Sequence, residues 1–174
     1  RILDATLDVL KADHGLDKAE EVLLSGGSAG GLAAYLHTDY VASQLPPSVK
    51  KYKSSPVSGF FLLHNTATGA PLYPQEMEYV FNMQNSTGGV NAKCIASLPR
   101  AEQWRCIFAN YSYAHVESPI FPLNSAIDAW QMGNIWKGDS AGGCTRPGFK
   151  NCSASEIVDL NTYMATFIAD MKRA

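Results

Sequence analysis

The chain has 174 residues, enough for one hydrophobic core and too few for two. Hydrophobic residues make up 46% and charged residues 17%, which excludes a disordered tail, and a net charge of −2 lacks the basic footprint of a nucleic-acid binder. No apolar stretch approaches the roughly 20 residues of a membrane helix, so neither nucleic acid nor a membrane span is expected.

Residues 1–12 place Leu3, Leu7 and Leu10 at helical spacing and predict an amphipathic helix ending near His14-Gly15. That pattern is already under way at Arg1, with no initiator Met or leader before it, so the chain reads as a piece of a longer one. Val22-Leu23-Leu24 predicts a strand, and Ser25-Gly26-Gly27-Ser28-Ala29-Gly30-Gly31 follows at once. Leu32, Ala33, Tyr35, Leu36 and Tyr40 then resume a helical rhythm to about Gln44, where Pro46-Pro47 stops it. Residues 48–56 read as a polar connection, and residues 57–63, with Phe60-Phe61-Leu62-Leu63, as a second buried strand. Pro74 fits the first turn of a helix carrying Met77, Val80, Phe81 and Gln84, and residues 85–91 read as loop. Residues 104–113 are mixed, and Pro119-Ile120-Phe121-Pro122-Leu123-Asn124 predicts a third strand. Residues 133–152 are glycine-rich and irregular. Ser153-x-x-Glu156 is a capping box for a last helix with Ile157, Leu160, Met164, Phe167 and Met171. Strands alternating with helices predict an α/β fold, a mostly parallel sheet flanked by helices, in a single domain without repeats.

The four cysteines, Cys94, Cys106, Cys144 and Cys152, show no C-x-x-C, and His14, His37, His64 and His115 lie elsewhere, so no metal site is expected. Two local disulfides, Cys94–Cys106 and Cys144–Cys152, are the simplest of three connectivities; four buried thiols are the alternative. Three glycosylation sequons, at Asn85, Asn110 and Asn151, favour an oxidising, secretory route, with a signal peptide upstream of Arg1.

The pattern G-x-S-x-G occurs twice, around Ser28 and around Ser140. Such an elbow turns sharply from strand to helix and leaves no room beside the serine, which explains the glycines two positions either side. Ser28 follows a strand and precedes a helix; Ser140 precedes Cys144-Thr145-Arg146-Pro147 and reads as a loop serine. A P-loop would need Lys-Ser/Thr after its last glycine, where Leu32-Ala33 stand, and a dinucleotide fingerprint would need glycine at Ser28, so no cofactor is expected. A serine nucleophile needs oxyanion donors, and the Ala29 N–H at a helix start supplies one. Asp128, after the third strand, stands where a triad acid is expected in the order Ser…Asp…His; a helix-capping aspartate is the alternative reading. No histidine follows Asp128, so the triad cannot close within these residues.

Ser25-Gly26-Gly27-Ser28-Ala29-Gly30-Gly31-Leu32-Ala33, followed by Leu36-His37-Thr38-Asp39, resembles the pectin acetylesterase family, which includes the Notum carboxylesterases. Ser118-Pro119-Ile120-Phe121-Pro122-Leu123-Asn124-Ser125-Ala126-Ile127-Asp128-Ala129-Trp130-Gln131 resembles that family's second motif, and Gly59-Phe60-Phe61-Leu62 and the cysteine spacings match as well. Around Asp128 the plant-type branch is the better match. Gly27 stands where cysteine is common, Ile127 where an aromatic is common, and Pro56-Val57-Ser58-Gly59 lacks the Asp usual before the Gly-Phe-Phe run, a pocket residue, which bears on substrate preference.

The resemblance implies an α/β-hydrolase-like domain of which residues 1–174 are the middle, with N- and C-terminal portions missing. It further implies Ser28 as nucleophile, Asp128 as triad acid, a histidine past Ala174, and a second oxyanion donor in a glycine-rich segment before Arg1. The expected activity is removal of acetyl groups from a polysaccharide such as pectin by a secreted, cell-wall or extracellular esterase. The alternatives are a Notum-like deacylase of lipid esters and a catalytically dead carbohydrate-binding or interaction homologue. Without its base and one donor, the piece itself is expected to be inactive.

Overall fold

The computed structural model describes residues 2–137, 144 and 151–172. In chain order these form α1 (Ile2–Asp13), β1 (Glu21–Gly27), α2 (Ala29–Gln44), β2 (Lys51–Val57), α3 (Leu72–Met83), α4 (Ala92–Ser97), α5 (Ala109–Ser112), α6 (Ala129–Gln131) and α7 (Ala154–Lys172). Short 3₁₀ turns join several of them. After α6 the helix continues as one π turn, Met132–Trp136, with the Lys137 N–H reaching back five residues to the Met132 carbonyl. Ser140 lies outside the described residues, as does most of the predicted excursion around it.

β1 and β2 pair in parallel from Glu21↔Lys51 to Gly27↔Val57, and α2 crosses between them and packs on both. The predicted third strand is present beside β2, but only as two parallel bridges, Ser54↔Ile120 and Val57↔Leu123. Its ladder runs Ser54 N to Pro119 O, Phe121 N to Ser54 O, Leu123 N to Pro56 O and Ser58 N to Leu123 O. The missing rung between them would need an N–H from Pro56, which has none. A proline inside a middle strand thus splits its neighbour.

The second strand is displaced from its predicted place. β2 occupies residues 51–57, of which 51–56 read as a polar connection because the outward positions are Lys51, Lys53 and Ser55. Residues 60–63, the apolar part of the strand expected over 57–63, are irregular, with 60–62 buried and Leu63 half-buried. Their burial comes from the core itself: Phe60 lies edge-on to Tyr35, Tyr113 and Phe167, and Phe61 to Trp130. Leu62, Phe108, Met132, Ile135, Trp136 and Tyr163 complete the centre of that core.

Two disulfides, Cys94–Cys106 and Cys144–Cys152, staple the outer segments, as the local pairing predicts. The capping box is also in place: the Ser153 N–H donates to Glu156 Oε2 at 2.9 Å and the Glu156 N–H to Ser153 Oγ at 3.3 Å. Lys137 pairs with the same carboxylate, which is lowered to about 2 by that bond first and by Ser153 second.

Candidate functional site at the sheet edge

Ser28 sits between the last residue of β1 and the first of α2, at φ 55° and ψ −121°. A residue with a Cβ is held in that region at a cost of about 1–3 kcal/mol, and only where the surroundings over-determine it. They do so here by backbone contact. The Ser28 N–H donates to the Val57 carbonyl at 2.9 Å and the Ser28 carbonyl accepts from Leu32 at 3.0 Å. A Cβ on Gly26 would stand 2.3 Å from the Gly30 carbonyl oxygen. One on Gly31 would stand 2.5 Å from the Val57 oxygen, and one on Gly59 2.2 Å from the Gly31 carbonyl carbon.

Only one of the two motif glycines is therefore sterically obligatory. The glycine two before the serine is required, but Gly30, two after it, has open space where a Cβ would go. The close approach instead belongs to Gly31 and Gly59, which bring α2 against the end of β2.

The Ser28 side chain is exposed and its hydroxyl has no hydrogen-bond partner among the described residues. The Ala29 N–H is the first of the α2 amides that no preceding turn can satisfy, so it points a partial positive charge outward beside Ser28. This is the local arrangement an oxyanion needs.

Asp128 arrives at the same edge from the third strand. Since Ser28 bonds to Val57, and Ser58 to Leu123, the ends of β1, β2 and the third strand stand side by side, two strand spacings or roughly 10 Å across. Asp128 follows Leu123 by five residues and caps α6, its Oδ1 accepting the Gln131 N–H at 2.9 Å. Of the two sequence readings of this aspartate, the helix cap is the one its hydrogen bond shows.

Gln131, named only as part of a motif, is the fully buried bracket that sets this corner. Its Oε1 accepts the Leu62 N–H at 3.2 Å and the Tyr163 hydroxyl at 2.9 Å, and its Nε2 donates to the Phe60 carbonyl at 3.1 Å. Asn124 Oδ1 accepts the Phe60 N–H at 3.1 Å. Side chains thus satisfy the irregular buried segment that no neighbouring strand serves. Burial first, and the nearby Asp128 carboxylate second, push the Tyr163 phenol far up, so it stays a donor to Gln131.

Asp39 plays a comparable part at the other end of α2. Its carboxylate accepts the Glu117 and Ser118 N–H groups, the latter at 2.8 Å, and so fixes the entry to the third strand. A cleft of about 510 Å³ opens there, between Leu36, His37, Asp39, Tyr40, Asn91 and Lys93. It lies seven or more residues along α2 from Ala29, on the order of 10 Å away.

None of the four histidines bonds to Ser28 or Asp128 among the described residues. His64 sits edge-on to Tyr163, His115 Nε2 meets Ser97 Oγ at 3.2 Å, and burial lowers the pKa of His37. The described residues hold no cluster of His, Cys, Asp and Glu able to bind a metal, and no helix long and apolar enough to cross a membrane.

A strained serine between a parallel strand and a helix, with a carboxylate delivered two strands away, defines an α/β-hydrolase-like protein. Comparison with solved structures agrees: the Wnt deacylase Notum from Drosophila superposes over 99% of this chain and 48% of its own, with a TM-score of 0.78 at 20% identity. The sequence profile of the pectinacetylesterase family matches residues 1–174, and the chain belongs to that family. Pectin acetylesterase 11 of Arabidopsis thaliana is 29% identical over 97% of this chain and 43% of its own length. The human palmitoleoyl-protein carboxylesterase NOTUM is 28% identical over 68% of this chain and 26% of its own. The chain therefore spans less than half the length of these relatives.

Proposed function

We propose that the protein to which this chain belongs is a secreted serine carboxylesterase that removes acetyl groups from a polysaccharide such as pectin. The observation that carries this reading is the elbow: a non-glycine residue at positive φ, hydroxyl exposed, beside the free first amide of a helix. Ser28 Oγ attacks the acetyl carbonyl, a histidine from elsewhere in the protein takes its proton, and the Ala29 N–H holds the developing oxyanion. Asp128 orients that histidine and stabilises its cation, and water then releases acetate from the acyl-enzyme. The two disulfides favour an oxidising compartment, in keeping with an extracellular or cell-wall location.

A second reading, hydrolysis of a lipid ester, draws on the apolar flank of Asp128. Trp130 is 47% exposed there, edge-on to Phe61 and Tyr73, with Ile127 also exposed.

In the full-length protein, a serine-directed fluorophosphonate is expected to label the wild type and Ser140→Ala, and to leave Ser28→Ala unlabelled. Labelling that survives Ser28→Ala and is lost with Ser140→Ala would assign the chemistry to the other serine. Acetate release from acetylated pectin, set against acetylated xylan and a long-chain acyl ester, separates the two substrate classes.

A further inference from the structure

The three sequons are alike as triplets and unlike in structure. Glycan transfer builds a bond to the asparagine Nδ2, so a site that is used on the folded chain needs a free amide, room for a sugar and a free hydroxyl two residues on.

Asn110 meets none of these conditions. It is half-buried in α5, its Nδ2 donates to Asp170 Oδ2 of α7 at 3.2 Å, and its Oδ1 is buried. Ser112, two residues on, is fully buried with Oγ donating to the Phe108 carbonyl at 3.1 Å. A sugar here would be wedged between α5 and α7. Asn151 is exposed, but Cys152 is bridged to Cys144 and Ser153 Oγ is engaged with Glu156 in the capping box.

Asn85 is the opposite case. It is exposed just past α3, at φ 50° and ψ 52°, a left-handed conformation that asparagine tolerates and that turns the chain away from the helix. Neither its side chain nor the exposed Thr87 hydroxyl has a hydrogen-bond partner among the described residues. Gly88 and Gly89, next in the chain, face open space. Tyr79 and Met83, on the last two turns of α3, expose apolar surface that a proximal sugar could cover.

We propose that Asn85 is the N-glycan acceptor of this chain, that Asn110 stays bare as a structural residue, and that Asn151 is occupied less than Asn85. The inference rests on the secretory reading above. In the step, Asn85 Nδ2 attacks C1 of a lipid-diphosphate-linked oligosaccharide; the C1–O bond breaks, lipid diphosphate leaves, and Nδ2 gives up one proton.

The test is secretion of the full-length protein from eukaryotic cells behind a supplied leader, with each sequon peptide read by mass spectrometry after enzymatic deglycosylation. The expected result is a modified Asn85, with one glycan lost in both Asn85→Gln and Thr87→Ala and no change in glycan number in Asn110→Gln. Thr87→Ala provides the answer even if Asn85→Gln is poorly secreted. An unmodified Asn85 in folded secreted protein, a glycan on Asn110, or higher occupancy at Asn151 would each overturn the proposal. Because the supplied leader delivers the chain to the lumen, an empty Asn85 counts against this inference alone. Retention in cells behind the natural leader would count against the secretory reading instead.

Discussion

Ser28 and Asp128 reach the same sheet edge, but their surroundings are built differently. Around Ser28 the shape comes from backbone packed on backbone, with Gly26, Gly31 and Gly59 leaving no space for a Cβ. Around Asp128 it comes from side-chain hydrogen bonds, with Gln131 tying α6, residues 60–62 and α7 together. The first kind of support is steric and all-or-none. The second is a network, from which members can be removed one at a time.

A single added methyl group should therefore do most damage at the elbow. Gly59→Ala is expected to cost about 3 kcal/mol or more, since the clashing atoms are main-chain and cannot swing aside. Gly30→Ala, with open space, should be neutral or slightly stabilising within α2. Urea denaturation of the two variants measures the contrast, and equal effects would end it.

On the acid side, Gln131→Leu should cost about 2–4 kcal/mol, because the Leu62 N–H, the Phe60 carbonyl and the Tyr163 hydroxyl lose their partner together. Tyr163→Phe removes one bond of the three and should cost about 1 kcal/mol by the same measurement. A Gln131→Leu effect no larger than that of Tyr163→Phe would show that the bracket is not shared.

Ser28→Gly probes strain rather than packing. Glycine occupies φ 55° freely, so thermal or urea unfolding should show a gain of about 1 kcal/mol while fluorophosphonate labelling is lost. A loss of stability would mean that the serine side chain supports the elbow.

The smallest effect concerns acid. Glu156 is held at about 2 rather than 4.5, so it contributes fully above about pH 4.5 and its contribution is lost as the pH falls towards 2. The start of α7, which carries Tyr163 to the bracket, should loosen in this window before α2 does, as hydrogen exchange would report. Glu156→Gln should flatten that acid response.

Local chemistry explains what was legible in the sequence. The amphipathic first helix, the strand–glycine–helix elbow and the Ser153/Glu156 cap each depend on residues within a few positions of one another, and all three are found close to where the spacing puts them. β2 was not legible, because its outward side chains are polar and Pro56 argues against a strand. Phe60-Phe61-Leu62-Leu63 misled for the converse reason. Hydrophobic content reports burial, not hydrogen bonding, and Gln131 and Asn124 from more than sixty residues away supply the partners a strand would have had.

By itself the sequence determined the class of fold and the two motifs, since each is written in adjacent residues whose turn, cap or periodicity is local, and the family through the resemblance those motifs carry. Only the tertiary structure decided which glycines are obligatory, how Asp128 is anchored and which sequon is open. Those depend on what lies across a contact, and the contacts join segments far apart in the chain: Gly31 to Gly59, Gln131 to Phe60 and Leu62, Asn110 to Asp170.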